Sequence, residues 1–259
     1  MAHHHHHHHH HHGHVHGQQN AVSKQNEAAF DDMAASFRTV PWIINIGKQM
    51  TKELQENVGW IRVTNSVKKE GRLLDYACGS GVATRALAPY YDYLCGIDIS
   101  AGMLKEFDRT AEEEGYDKKK MKAIRGDLLD PEGTPAPELA DPEYFNFDTA
   151  VMATALHHVE DVDKMLLRLV ERVRPGGTVL ILDFVNLNVE VIATEMGVIH
   201  GGFKEDQMMK IMEKAGLENC DWKLFAEEIE MPADKGGAKT GFMARGVKPL
   251  AAQSSKEEL

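Results

Sequence analysis

Three aspartates stand out in this chain by their positions. Asp75 precedes the small-residue stretch ACGSG, Asp98 closes YLCGID just before Ser100, and Asp127 follows Gly126 in RGDLL. Each follows a short apolar run of strand-like composition, which places it at a strand's carboxyl end, where open parallel sheets bind their ligands. The first aspartate also has glycines beside it. A glycine-containing strand-to-helix turn lets backbone N–H groups approach a ligand closely, and its dinucleotide version, Gly-x-Gly-x-x-Gly, sets a pyrophosphate on the helix N-terminus. Gly79 and Gly81 match the first pair, but Thr84 stands at the third position and Asp75 would repel a pyrophosphate. A ligand with an ammonium group and no phosphate suits the turn better. Asp98, about 20 residues past the turn, is placed to accept hydrogen bonds from both hydroxyls of a ribose. Asp127 is placed to accept from the amino group of a base. Singly, each aspartate is as readily a turn former or a helix cap; the ordered set of three is the informative feature.

The elements that must position these residues alternate in type. RLLDYA, YLCGIDI, MKAIRG, FDTAVMA and TVLILDFV read as strands, and helical patterns lie between them. That alternation predicts parallel strands joined by crossover helices. Residues 100–115 open with Ser100 as an N-cap and carry Met103, Leu104, Phe107 and Ala111 on one face. Residues 161–177 bury Met165, Leu166, Leu169, Val170 and Val173 and stop at Pro175-Gly176-Gly177, and residues 204–217 repeat the pattern with Met208, Ile211, Met212 and Ala215. DWKLFAEEIEMP and KTGFMARGV, joined by ADKGGA, predict a hairpin that adds an antiparallel strand to the sheet edge. Before the first strand, residues 39–58 form an amphipathic helix with Trp42, Ile46, Met50, Leu54 and Val58 on one side. Residues 28–58 are thus expected to cover the sheet or its ligand crevice. The proline-rich stretch 130–146 reads as a loop.

Residues 1–20, rich in histidine, read as a purification tag and linker. They hold twelve of the fifteen histidines and leave His157, His158 and His200. Residues 21–249 then form a single domain, and 250–259 a charged tail whose KEEL ending we read as solvated rather than as a targeting signal. The net charge of −11 disfavours nucleic acid and anionic membranes as partners. No apolar run approaches the ~20 residues needed to span a bilayer. Three cysteines without a CxxC pair indicate neither a disulfide framework nor a zinc site and suit a reducing, cytoplasmic setting.

Taken together, LLDYACGSG, GIDISAGML, RGDLL and ATALHHVED resemble, in order, the motifs of the class I S-adenosylmethionine-dependent methyltransferases. The resemblance runs from about residue 28 to 248 and is strongest to the small-molecule branch that includes the ubiquinone/menaquinone-biosynthesis enzymes. Ala77 replaces the first glycine of the family's turn. The implied fold is a Rossmann-like, doubly wound α/β sheet of seven strands, mostly parallel, with an antiparallel C-terminal hairpin strand and an N-terminal helical cover. By similarity, Asp75 and the backbone of Ala77, Cys78, Gly79 and Gly81 hold the methionine part of S-adenosylmethionine, and Asp98 takes the ribose. Ile99 and Met103 pack on adenine, whose edge meets Asp127 and Leu128. Phe37 closes over the methyl-bearing end or serves as a core anchor, the latter being the role expected of Trp42. Most methionines belong to the core, apart from Met103 and Met152.

The implied reaction is an in-line methyl transfer to an O, N, S or C nucleophile of a metabolite, leaving S-adenosylhomocysteine. Holding the reactants in a near-attack arrangement removes on the order of 7–11 kcal/mol, and a general base adds about 10²–10⁴-fold where the acceptor keeps its proton. His157 and His158, after the fourth strand, and His200, in the segment 186–203 that would roof the substrate, are the candidates for that base or for orienting the acceptor. The alternative for the pair is to cap a helix or fix a loop. VMATALHH lacks the oxygen ligands of metal-dependent catechol-type enzymes, so no metal is expected. Two other classes compete: a scaffold that binds the cofactor without transferring methyl, and a nicotinamide oxidoreductase on the same architecture, against which Asp75 and the incomplete turn argue.

Overall fold

The computed structural model describes residues 16–61, 71–130, 139–187 and 197–251. The 252–259 end of the tail, residues 1–15, and the middles of the roof (188–196) and of the proline-rich loop (131–138) lie outside the described residues. The first helix, α1 (His16–Met33), starts inside the stretch assigned to the linker. After it come α2 (Ser36–Thr39) and α3 (Pro41–Glu56), separated because Pro41 holds the preceding Val40 extended at φ −90°, ψ 116°. The single amphipathic helix expected over 39–58 is therefore trimmed at its start, and Asn57 breaks it from α4 (Val58–Ile61) at its end.

The sheet follows as β1 (Arg72–Tyr76), α5 (Val82–Leu87), β2 (Tyr93–Asp98), α6 (Ala101–Glu113), β3 (Met121–Arg125), β4 (Phe147–Ala153), α7 (Val162–Arg172), β5 (Val173–Phe184), α8 (Glu205–Lys214), β6 (Glu218–Leu224) and β7 (Gly241–Val247). Its seven strands lie in the order β3-β2-β1-β4-β5-β7-β6. The first five are parallel, and β7 runs antiparallel to both β5 and β6. This is the doubly wound α/β arrangement with an antiparallel C-terminal edge that the sequence predicts. The strand order reverses between β1 and β4, which opens a crevice at their carboxyl ends. Two boundaries differ: the first hairpin strand runs Glu218–Leu224 rather than through 221–232, so 225–240 link it to β7, and α7 ends at Arg172 while Pro175-Gly176-Gly177 belongs to β5, where the pairing with β4 shifts between Phe147 and Thr149. The proline and glycines are absorbed in that irregularity rather than forming a separate turn.

Alternation along the strands sends side chains to two cores. Leu74, Ala150 and Ile181 pack with Met165, Leu166 and Leu169 of α7 and Met208 and Met212 of α8. Leu73, Val151 and Leu180 pack on the other face with Met50 and Leu54 of α3, Leu87 of α5 and Phe107 of α6. Each Leu, Ile, Val, Met or Phe among them contributes about 1.5–3 kcal/mol on burial. Ser100 caps α6, its Oγ accepting from the Met103 N–H at 3.1 Å, and Asp161 caps α7 by accepting from the Lys164 N–H at 2.9 Å. Among the described residues no helix is long and apolar enough to cross a membrane.

Candidate active site

The β1–α5 turn is held in a conformation few sequences tolerate. Ala77, Gly79 and Gly81 all have positive φ, at 57°, 51° and 84°. A Cβ on Gly79 would stand 2.9 Å from the Met103 methyl, and one on Gly81 would meet the Phe107 ring at 2.7 Å. Both glycines are thus fixed by φ and by α6. Ala77 takes the left-handed conformation with a Cβ, a strain of about 1 kcal/mol of the kind concentrated at functional sites.

Each strand-end carboxylate is anchored by donors near it. Asp75 Oδ2 accepts from the Thr84 N–H at 3.0 Å and hydroxyl at 2.6 Å, so the residue at the missing third-glycine position ties the acid to α5. Burial pushes the Asp75 carboxyl up to about 7, against the pull of those two bonds. Asp98 Oδ2 accepts from the Gly79 N–H at 2.8 Å and Oδ1 from the Ser100 N–H at 2.9 Å. Burial likewise raises Asp98, to about 6, with its backbone donors opposing. Asp127 Oδ1 accepts from the Leu129 N–H at 2.9 Å and the Tyr76 hydroxyl at 3.2 Å, while Oδ2 accepts from the Ser23 hydroxyl at 2.7 Å.

Helix α1 closes this end of the crevice. Ser23 reaches Asp127, Glu27 pairs with Arg125, and Asp31 accepts from the Ser100 hydroxyl at 2.5 Å and the Gly102 N–H at 2.8 Å. The Ser100 hydroxyl, followed by the Gly102 N–H, lowers the Asp31 carboxyl below its usual range. Asn26 donates to the His158 carbonyl at 3.3 Å, and among the described residues its buried Oδ1 has no partner.

At the β4 and β5 ends the chemistry changes. His157 and His158 lie in a short 3₁₀ turn, Leu156–His158, with their rings 4.1 Å apart. His157 Nδ1 is 2.7 Å from Asp183 Oδ1, and its backbone N–H donates to Asp183 Oδ2 at 3.1 Å. His158 Nδ1 is 3.1 Å from the Gly197 carbonyl, and its ring meets Phe30 edge-on at 5.3 Å.

A cavity of about 690 Å³ joins the two ends. Asp75, Asp98 and Asp127 line it together with the Ala77-Cys78-Gly79 backbone, Ile99, Met103, Phe37, His157 and His158. Three residues expected at the ligand lie off its wall. Gly81 is turned under Phe107 and its N–H donates to the Cys78 carbonyl at 2.8 Å. Leu128 is buried in the core with its N–H on the Tyr76 hydroxyl, and Leu129 takes its place on the wall. His200 Nε2 is engaged by the Val159 carbonyl at 2.8 Å. Trp42, expected in the core, is half-buried on the wall, as is Met33; Met50, Met152, Met165 and Met231 also reach it. Ser23, Asn26, Asp31 and Asp183 escape a reading of the sequence. Only Asp183 left a signal: a lone acid in the apolar run TVLILDFV, at the same carboxyl strand end as the other three.

Residues 74–179, which span the glycine turn through β5, match the methyltransferase-domain family. The chain is 29% identical over 169 residues to an uncharacterized methyltransferase of Schizosaccharomyces pombe, covering 61% of this chain and 58% of that one. It is 26% identical over 192 residues to the ubiquinone/menaquinone biosynthesis C-methyltransferase of Pectobacterium carotovorum, covering 71% and 70% respectively. Phosphoethanolamine N-methyltransferase 2 of Haemonchus contortus, solved with phosphomonomethylethanolamine and S-adenosylhomocysteine, superposes with a TM-score of 0.58 at 16% identity, over 85% of this chain and 61% of that one. The chain thus spans little more than half the length of the fission-yeast relative.

Proposed function

We propose that the chain is a class I S-adenosylmethionine-dependent methyltransferase that uses that cofactor to methylate an O, N, S or C nucleophile of a small metabolite in the cytoplasm, a reading that its similarity to the methyltransferase-domain family supports. One observation carries the reading: three strand-end carboxylates and a positive-φ turn line a single cavity that continues into a largely apolar chamber. The first part suits a ligand with ammonium, ribose and adenine, and the second a separate acceptor. Asp75 and the Ala77 to Gly79 backbone would hold the amino-acid part, Asp98 the ribose, and Asp127 with Ile99, Met103 and Leu129 the adenine. The bound cofactor supplies a methyl already activated by the sulfonium, so the protein's task is to place the acceptor in line with it and exclude water. Phe37, Trp42 and the apolar face of α3 wall off that space. The net charge of −11 supports a small organic acceptor over a nucleic acid.

Isothermal calorimetry of the full chain with S-adenosylmethionine, S-adenosylhomocysteine and NAD, run in parallel, tests this. We expect heat from the sulfonium compound and its product alone. Binding of NAD, or of none of the three by folded protein, would sink the proposal.

A further inference from the structure

We infer that His158 is a positioning residue that couples the two ends of the cavity: a cofactor seated beneath α1 tightens, through His158, the strap 197–203 on the acceptor side. The inference rests on the methyltransferase reading above. Helix α1 uses two adjacent faces. Ser23, Glu27 and Asp31, four residues apart, share one of them, and Asn26 and Phe30, also four apart, share the next. The first face holds the adenosine end. Ser23 donates to Asp127 at 2.7 Å, Glu27 pairs with Arg125, and Asp31 accepts from the Ser100 hydroxyl and the Gly102 N–H. A Cβ on Gly102 would stand 3.1 Å from the Asp31 Cα, so α6 begins directly against the helix.

The second face holds His158. Asn26 donates to its carbonyl at 3.3 Å, and Phe30 meets its ring edge-on at 5.3 Å. The same ring is bonded to the strap. A carbonyl can only accept, so His158 Nδ1 carries the hydrogen and donates to the Gly197 carbonyl at 3.1 Å. Helix α1 also touches the strap directly, since a Cβ on Gly197 would fall 2.2 Å from Asn26 Oδ1. Further along, the Ile199 and His200 N–H groups both donate to the His157 carbonyl, at 2.9 and 3.0 Å. The strap thus hangs on the turn that carries His158, and that turn hangs on α1.

A ligand shifts such a linkage only if it interacts differently with its alternative arrangements. Here that condition is met. Asp127 and Asp98, proposed for adenine and ribose, bond Ser23 and the Ser100 N–H, and Ser100 in turn bonds Asp31 of α1. Ser23, Asn26 and Phe30 line the cavity, so a ligand in the cradle of strand-end carboxylates lies against the helix. Filling that space gives α1 a packed surface beneath it. The helix passes a shift at Ser23–Asp31 to Asn26 and Phe30 because all five lie within about three turns. Asn26, His158 and Gly197 are thereby drawn together, and by reciprocity a closed strap strengthens cofactor binding.

Hydrogen–deuterium exchange on the full chain, with and without saturating S-adenosylhomocysteine, tests this. In the wild type we expect the ligand to slow exchange at the start of α6, residues 101–107, and, by at least about 5-fold, at the Ile199 and His200 amides. His158→Asn, whose side-chain amide can still donate to the Gly197 carbonyl, should keep both effects. His158→Ala and Asn26→Ala should keep the slowing at 101–107, which reports a folded and loaded chain, and lose it at 199 and 200. A merely structural role for His158 would change exchange there equally with and without ligand and leave the ligand-induced slowing in place. Slowing at 101–107 alone in the wild type, or an undiminished ligand effect at 199 and 200 in either alanine variant, overturns the coupling and leaves the cofactor reading intact. No slowing at either segment, with no binding of S-adenosylhomocysteine in calorimetry, overturns the cofactor reading and the coupling with it.

Discussion

The two ends of the cavity are built on opposite plans. At the β1–β3 end, Asp75 bonds Thr84, Asp98 bonds Gly79 and Ser100, and Asp127 bonds Leu129, so each acid has a donor within about 20 residues of chain. At the β4–β5 end, the His157–Asp183 pair joins the ends of two different strands, and most of the described wall around it is apolar, from α3, Leu187, Val198 and Met231. The first plan preorganises polar groups around one part of the cavity; the second leaves a mainly apolar space beside a buried histidine–carboxylate pair. The contrast predicts that polar substitutions on the cradle change cofactor affinity, whereas substitutions in the chamber spare it.

The largest effect tests the cradle. Asp98→Ala should weaken S-adenosylmethionine about 10²-fold in calorimetry and, by leaving the Gly79 and Ser100 N–H groups without an acceptor, cost roughly 2–4 kcal/mol in denaturant unfolding. Unchanged affinity would remove the ribose role. In the chamber, Phe184→Ala should cost about 3 kcal/mol of stability through the cavity it leaves, with S-adenosylhomocysteine affinity within about 3-fold of wild type. A large loss of cofactor affinity there would erase the division between the two ends.

Protonation sharpens the same comparison. The Asp75 carboxyl titrates near 3.8 in an unfolded chain and near about 7 when folded. Between those values the unfolded state has released its proton and the folded state retains it, so this group's contribution makes stability fall as pH rises from about 4 to 7 and level off above. Asp98 acts in the same direction up to about 6. An ammonium arriving beside Asp75 would favour its ionised form, so cofactor binding at pH 6 should release a proton, read as a binding enthalpy that varies with the buffer's heat of ionisation. Buffer-independent enthalpy would place the ammonium elsewhere. The smallest effect is at the α1 latch. Ser23→Ala should cost under about 1 kcal/mol of stability and raise cofactor affinity slightly, since it frees Asp127 Oδ2 for the adenine amino group. A fall in affinity would mean that Ser23 holds the cofactor itself.

What the chain determined by itself is what local sequence can encode. Period-two and period-3.6 patterns, the Ser100 and Asp161 caps and the Gly79-Ser80-Gly81 turn set strands, helices and strand-end acids in order, and a doubly wound sheet follows because crossover connections admit few topologies. Asp75, Asp98 and Asp127 were legible for that reason, each standing at the end of a run whose type could be read. Where steric detail intervened, the reading drifted: Pro41 split a helix, Pro175 and the following glycines entered a strand, and Leu129 replaced Leu128 on the wall because the Asp127 bonds set the turn of the backbone. Only the tertiary structure could bring Asp183 to His157, Ser23 to Asp127 and Asp31 to Ser100, pairs 26, 104 and 69 residues apart. Nothing in the spacing of those residues encodes their meeting; it arises because parallel β4 and β5 end side by side and α1 lies across the strand ends. The same packing turned His200 onto a backbone carbonyl, moved Trp42 from the expected core to the cavity wall and let core methionines such as Met50 and Met165 reach that wall too, since which face of a helix meets the crevice is decided by the surfaces it packs against.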